Sequence, residues 1–216
     1  MTSTFINPHR TLADLLPQTT DRTMRIVRDA VLIVGFAIFT ALLAQVRFNL
    51  AFTPVPITGQ TLGVLLSGTA LGWRRGALSQ VVYWAAGIVM PVAWYANDET
   101  GTSISKGWNT ATGTTAGYLF GFVLAAALVG YLAERGQDRD LATSIPAMLA
   151  GTAVIYVFGA LWLAHELNIS VANGDANAMA YGVNPFLIGD AVKFCLAGAL
   201  TPLAWKLASG RRNNDA

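Results

Sequence analysis

Six stretches of this chain are apolar and long enough, or nearly long enough, to lie in a bilayer. An α-helix rises about 1.5 Å per residue, so about 20 apolar residues cross a hydrocarbon core of roughly 30 Å. The stretches are Ala30–Val46, Thr61–Trp73, Gly76–Val92, Thr115–Ala133, Ile145–Ala164 and Pro185–Leu207. The second is short and reads as tilted or partly spanning. Together they take up about half of the 216 residues. The chain as a whole is too poor in charge to cover a water-facing surface: 12% of it is Asp, Glu, Lys or Arg, against roughly 25% in a soluble domain. The same apolar composition excludes a disordered chain. A single Cys allows no internal disulfide, so the redox compartment cannot be read. The first run starts near residue 30, lacks a small-residue cleavage site and is followed by more runs, so it reads as a span and not as a signal peptide. The expected fold is all-α: a polytopic membrane protein with six transmembrane helices.

The basic residues orient those helices. Short cytoplasmic loops collect Lys and Arg. Arg10, Arg22, Arg25, Arg28, Arg74, Arg75, Arg135, Arg139, Lys206, Arg211 and Arg212 all fall on one side of a six-span chain, whereas Arg47 and Lys106 fall on the other. Both termini are therefore expected in the cytoplasm, with the chain multi-pass in the inner (plasma) membrane. Residues 1–29 form a cytoplasmic N-terminal segment, 30–207 the membrane domain and 208–216 a cytoplasmic tail. Arg22, Arg25 and Arg28 recur at helical spacing and suit the anionic inner leaflet. The net charge of +2 reflects topology, and no basic face for nucleic acid is visible.

The outer loops are the long ones. Residues 93–114 and 165–184 each mix aromatic with polar residues, and the first loop carries Pro54 and Pro56 in FTPVPITGQ. Long loops gathered on one face of a helix bundle suit a lid over an outward pocket. Beneath them, Asp190 and Lys193 are the acidic and basic residues well inside a span. Each costs on the order of 2.5–3.5 kcal/mol at a helix centre. At i,i+3 they share one helix face and can neutralise each other. One use is recognition of a ligand bearing a carboxylate and N–H groups; the other is a structural salt bridge. Ionisable groups at this depth are functional by default, and buried pairs are poor stability devices. No further carboxylate or His lies at depth, which argues against a proton-coupled carrier.

Small residues recur four apart in the first helix (Ala37, Ala41), in the fourth (Gly117, Gly121) and in the second (Gly68, Gly72). Such strips let helices approach closely, inside the chain or against a partner. The first is the best candidate for an external contact. Enzyme motifs fail: there is no phosphate-cradling P-loop, and position 169 is Ile where a zinc H-E-x-x-H needs His. An intramembrane serine hydrolase using Ser67 and His165 is a remote alternative, since position 65 is Leu where G-x-S-G needs Gly.

GWRRGA, TGTTAGYLFGF, PFLIGDAVKFCLAGAL and the Pro-rich first loop stand in one order over about Ala30 to Leu207. In this the chain resembles the BioY family, the biotin-binding S components of energy-coupling factor (ECF) vitamin transporters. The resemblance implies six helices, a biotin site near the outer face, and no catalysis by the chain itself. It also implies a separate transmembrane coupling subunit and ATPase subunits as partners, with no cofactor and no metal. Ala37 and Ala41 match the strip that contacts the coupling subunit. Asp190 and Lys193 match the family's Asp-x-x-Lys; Lys193 is assigned the valerate carboxylate or a ureido oxygen, and Asp190 the ureido N–H. Tyr118 and Thr115 match the start of helix four and are expected to line the pocket. Trp94, Tyr95 and Trp108 are expected as aromatic walls from the lid loop. An S component for another small vitamin is the nearer alternative.

Overall fold

The computed structural model describes residues 11–16, 20–48, 50–89, 94–95 and 104–214. A 3-10 turn, Leu12–Leu15, precedes α1, Arg22–Ala44. Asp21 caps α1, its carboxylate accepting from the Thr23 N–H at 2.9 Å, which satisfies one of the orphan donors of the first turn. A small antiparallel hairpin follows, β1 (Arg47–Phe48) pairing with β2 (Ile57–Thr58), Arg47 opposite Thr58. Then come α2 (Gln60–Leu71) and α3 (Trp73–Val89), joined at Gly72, whose φ of +84° suits glycine. The chain continues through α4 (Ile104–Thr112), α5 (Ala116–Glu134), α6 (Leu141–Leu167), the short α7 (Ala178–Gly182) and α8 (Leu187–Asn214).

Among the described residues, four helical stretches are long and apolar enough to cross a membrane: α1, α5, α6 and the 178–208 segment built on α8. The other two expected spans also fold as helices: α2 has 12 residues, about 18 Å at the helical rise and less than a hydrocarbon core of roughly 30 Å, and the described part of α3 has 17. α1 starts at Arg22, eight residues ahead of its apolar stretch, and α8 continues past its own to Asn214. Charged residues at a helix end do not stop the helix; they move its exit from the apolar layer.

The outward faces are apolar. Val31, Val34, Ile38 and Leu42 on α1, Leu149, Val157 and Leu161 on α6, and Ile188, Val192, Leu196 and Leu203 on α8 are all exposed. Apolar surface of this extent marks a membrane or a partner, not water. Inside, α5 packs on α6 through Gly117 and Gly121. A Cβ on Gly117 would stand 2.2 Å from the Cβ of Trp162, and one on Gly121 3.0 Å from the Cα of Ile155. Ala37 and Ala41 serve α1 in the same way. They are 1% and 6% exposed and face the chain's own core, where they admit α2 and α3. The small strip read as a partner surface is thus an internal seam here, because α1 can bury small residues against the bundle while leaving its branched residues outside.

At the end of the bundle away from the hairpin, Arg75 gathers the polar groups. Its guanidinium donates to Asp14 (2.8 Å), Asp29 (3.3 Å), Thr11 (3.2 Å) and the Leu71 carbonyl (2.9 Å). This ties the 3-10 turn and α1 to the α2–α3 corner. Burial pushes the Asp14 carboxyl up, but the Thr11 amide and hydroxyl and the Arg75 guanidinium outweigh it and hold the carboxyl below its ordinary value.

Candidate ligand-binding site

The first turns of α2 and α5, the middle of α6 and the first turns of α8 surround one cavity near the hairpin end. The space between its walls is about 580 Å³, part of it open to solvent. Val55 and Pro56 from the hairpin loop, Leu119 and Phe122 from α5, Ile155 from α6, and Phe186 give it apolar walls. The polar groups cluster on one side: Thr58, Gln60, Thr61, Tyr156, Asp190 and Lys193. An apolar slot with a few convergent polar groups is the usual form of a small-molecule site.

Asp190 is the centre of that polar side and is 4% exposed. One carboxylate oxygen accepts from Lys193 Nζ (2.5 Å) and from the Thr61 hydroxyl (3.2 Å). The other accepts from the Tyr156 hydroxyl at 2.6 Å. Lys193 also donates to the backbone carbonyl of Thr58, at the end of β2. A buried carboxylate is tolerable only when paired and hydrogen-bonded, and this one has three donors. An ammonium has three N–H bonds, and two are used here, so Lys193 has one left for a ligand.

Of the residues singled out from sequence, Asp190, Lys193, Tyr118, Thr115 and Tyr95 all line this cavity. Tyr118 and Tyr95 present their rings, because their hydroxyls are bonded elsewhere. Tyr118 donates to the Gly182 carbonyl of α7 at 2.8 Å, and Tyr95 donates to the Trp84 carbonyl of α3. The Tyr118 ring fits only because position 159 on α6 is glycine: a Cβ there would stand 2.2 Å from it. Thr115 spends its hydroxyl on the Thr110 carbonyl at 3.1 Å. Trp94 stands behind the cavity, stacked on Tyr83 at 6.0 Å and donating its indole N–H to the Tyr83 carbonyl at 2.8 Å. Trp108 on α4 is 56% exposed and is outside the cavity walls. Much of the lid loop expected over 93–114, including 96–103, lies outside the described residues.

Gln60, Thr58, Thr61 and Tyr156 were not singled out from sequence. A hydroxyl in an apolar helix can bond its own backbone, as Thr40 and Thr152 do here. Polarity alone therefore does not mark a pocket residue. Ser67 illustrates the point. It is fully buried on α2, donates to the Val64 carbonyl (2.7 Å) and accepts from Gln80 (2.9 Å), while His165 packs against Trp162 at the end of α6. The serine is engaged in helix packing, and among the described residues its hydrogen-bond partners are a carbonyl and an amide and not a base.

The BioY family model matches residues 13–210, nearly the whole chain. The chain belongs to the BioY family. A biotin transporter BioY of Rhizobium etli is 34% identical over 182 residues, covering 80% of this chain and 90% of that protein. A biotin transporter BioY of Thermotoga maritima is 31% identical over 173 residues, covering 78% and 92%. Among solved structures, the crystal structure of the S-component for biotin from an ECF-type ABC transporter matches with a TM-score of 0.70 at 19% identity. It covers 88% of this chain and 95% of that one. At that identity the match establishes a shared fold. The BioY chain described here therefore has the S-component architecture, with its cavity between the hairpin and the helix ends.

Proposed function

We propose that this chain is the biotin-binding membrane subunit of a vitamin uptake system. It captures biotin and performs no chemistry on it. The observation that carries the reading is the Asp190–Lys193 pair, set in the wall of an otherwise apolar cavity in a chain whose family relatives are biotin transporters. Biotin has a fused apolar ring system, a ureido group with two N–H donors and one oxygen acceptor, and a valerate tail ending in a carboxylate. The apolar walls suit the ring and tail. The remaining N–H of Lys193 suits the carboxylate or the ureido oxygen, and Asp190 suits a ureido N–H. Tyr95, Tyr118 and Thr115 complete the walls, while Trp94 supports them from behind. In this arrangement Trp108 reaches the ligand only if α4 turns.

In the same reading the chain crosses the plasma membrane six times with both termini inside. α2 acts as a shorter helix within the bundle, and eleven basic residues stay on the cytoplasmic side. Uptake then requires a separate transmembrane coupling subunit and ATPases, since no phosphate-cradling motif is visible in the sequence. Docking of the coupling subunit on the Ala37–Ala41 strip requires α1 to shift on α2 and α3, because both alanines are buried in the isolated chain.

A competition experiment tests the ligand class. Purified protein in detergent is loaded with labelled biotin and challenged with biotin, biotin methyl ester, thiamine and riboflavin. Biotin should compete fully. The ester, which has lost its charge, should compete at least about tenfold more weakly, a difference of about 1.4 kcal/mol. Thiamine and riboflavin should not compete. No binding of labelled biotin by well-folded protein, or its full displacement by thiamine or riboflavin, contradicts the proposal and points to an S component of different specificity.

A further inference from the structure

We propose that Gln60 and Tyr83 act as positioning residues that couple the first-loop hairpin to the Trp94–Tyr95 segment, so that these two walls of the cavity loosen and close together. The inference rests on the proposed ligand site, but the coupling itself is a property of the empty protein.

The chain of contacts runs from Lys193 to Trp94, and each step in it has a donor facing an acceptor. Lys193 donates to the carbonyl of Thr58 on β2. The Thr58 hydroxyl donates to Gln60 Oε1 at 2.7 Å, while the Gln60 backbone N–H donates back to that hydroxyl at 3.3 Å. The Gln60 carboxamide then donates from Nε2 to the Tyr83 hydroxyl at 2.6 Å. Tyr83, fully buried on α3, points its own O–H at the carbonyl of Trp94, 3.5 Å away. Both ends of the amide are thereby committed in one direction. Since the amide is the donor to Tyr83, the tyrosine proton is left free to point at Trp94.

The far end of the chain is seated in α3 by more than that one contact. The Trp94 indole N–H bonds the Tyr83 carbonyl at 2.8 Å. The Tyr95 ring lies edge-on to Tyr83, with centroids 5.7 Å apart, and fills the notch at Gly87, where a Cβ would stand 2.1 Å from it. Tyr95 is also a cavity wall. The near end is equally tied, because the hairpin loop donates from the Thr53 hydroxyl to the Tyr181 carbonyl of α7 at 2.5 Å. A ligand group that draws Lys193 away from Thr58 releases one end of this relay. The 3.5 Å link is the longest in it and the least costly to open.

Hydrogen–deuterium exchange on the ligand-free protein in detergent tests the coupling, comparing wild type, Tyr83→Phe and Trp205→Phe. Tyr83 does not line the cavity, and Tyr83→Phe removes a single hydroxyl from the relay. Trp205→Phe removes a buried bond to Asp138 and serves as a control for general destabilisation. The relay requires Tyr83→Phe to raise exchange both at 47–58 and at 94–95, with the rest of the chain unchanged and with neither segment singled out by Trp205→Phe. Exchange that rises at 94–95 alone, or evenly along the chain, overturns the coupling. A second readout uses biotin. Tyr83→Phe should raise association and dissociation rates together by about two- to tenfold, the range one hydrogen bond is worth. A rise in dissociation alone overturns the coupling, since that marks a lost ligand contact. If wild type binds no biotin, the proposed ligand is wrong, and the exchange result still decides the relay.

Discussion

Asp190 and Lys193 are asymmetric in what surrounds them, and that asymmetry makes their variants informative. Lys193→Met leaves a buried carboxylate with two hydroxyl donors, Thr61 and Tyr156. Asp190→Asn leaves an ammonium that still has the Thr58 carbonyl. Removing one member of a buried pair costs about 3–5 kcal/mol, whereas replacing both can be neutral. We therefore expect Lys193→Met to melt below wild type and the double variant Asp190→Asn/Lys193→Met to recover most of that loss without recovering biotin binding. Thermal melts beside binding titrations decide it; a double variant that melts no higher than Lys193→Met contradicts the pairing. Tyr156→Phe deletes one donor to Asp190, and a lost bond to a charged buried group is worth about 1–3 kcal/mol. Its biotin affinity should fall by about five- to a hundredfold, and an unchanged affinity would remove Tyr156 from the site. The pair was legible in the sequence because charges are so scarce there. Tyr156, Thr61 and Gln60 were not, because a hydroxyl or amide in an apolar run looks the same whether it bonds a carboxylate across the cavity or its own helix.

The helices were legible as apolar runs, but their ends were not. α1 and α8 continue past their apolar stretches into charged sequence, where a helix has no reason to stop if its caps and packing permit it. α4 was read as part of the 93–114 loop because its sequence is short and polar, although Ile104, Trp108 and Ala111 stand at helical spacing; Ala111 is buried while Trp108 stays outside the cavity. The short 3-10 turn at Leu12–Leu15 was also missed: Thr11 and Asp14 cap it locally, but the clamp on Asp14 comes from Arg75, 61 residues away. That clamp has a defined pH response. The Asp14 carboxyl lies below its ordinary value in the folded chain, so its contribution is present above about pH 4 and is lost as pH falls through the lower folded value. We expect wild type to lose stability between about pH 5 and pH 3 more steeply than Asp14→Asn, read from melts across that range. Equal slopes would mean that Asp14 is not held by the clamp. At the other end, Gly159→Ala places a methyl on the Tyr118 ring. Overpacking of this kind costs about 1–3 kcal/mol and should lower both the melting temperature and biotin affinity; a variant unchanged in both would place the ring elsewhere.

Taken together, the helices form a bundle whose described charged residues gather toward two ends, with the Arg75 clamp at one and the Asp190 cavity at the other, and with apolar faces between. Among the described residues four helical stretches span by length alone; α2 is the short one, and with most of its residues buried inside the bundle it need not cover the full width. The proposed six-span topology predicts both ends of the chain on one side. In a Cys195→Ser background, a cysteine at position 3 and one at position 213 should both react with a membrane-impermeant maleimide only after the cells are opened; labelling of either from outside intact cells would contradict it. The capture of biotin by this cavity is tested most directly by equilibrium binding of biotin to the purified wild type beside Lys193→Met and Asp190→Asn. Tight wild-type binding, weakened at least about tenfold (about 1.4 kcal/mol) in both variants, is the expected result. No binding by well-folded wild type, or binding that neither substitution alters, would contradict the assignment.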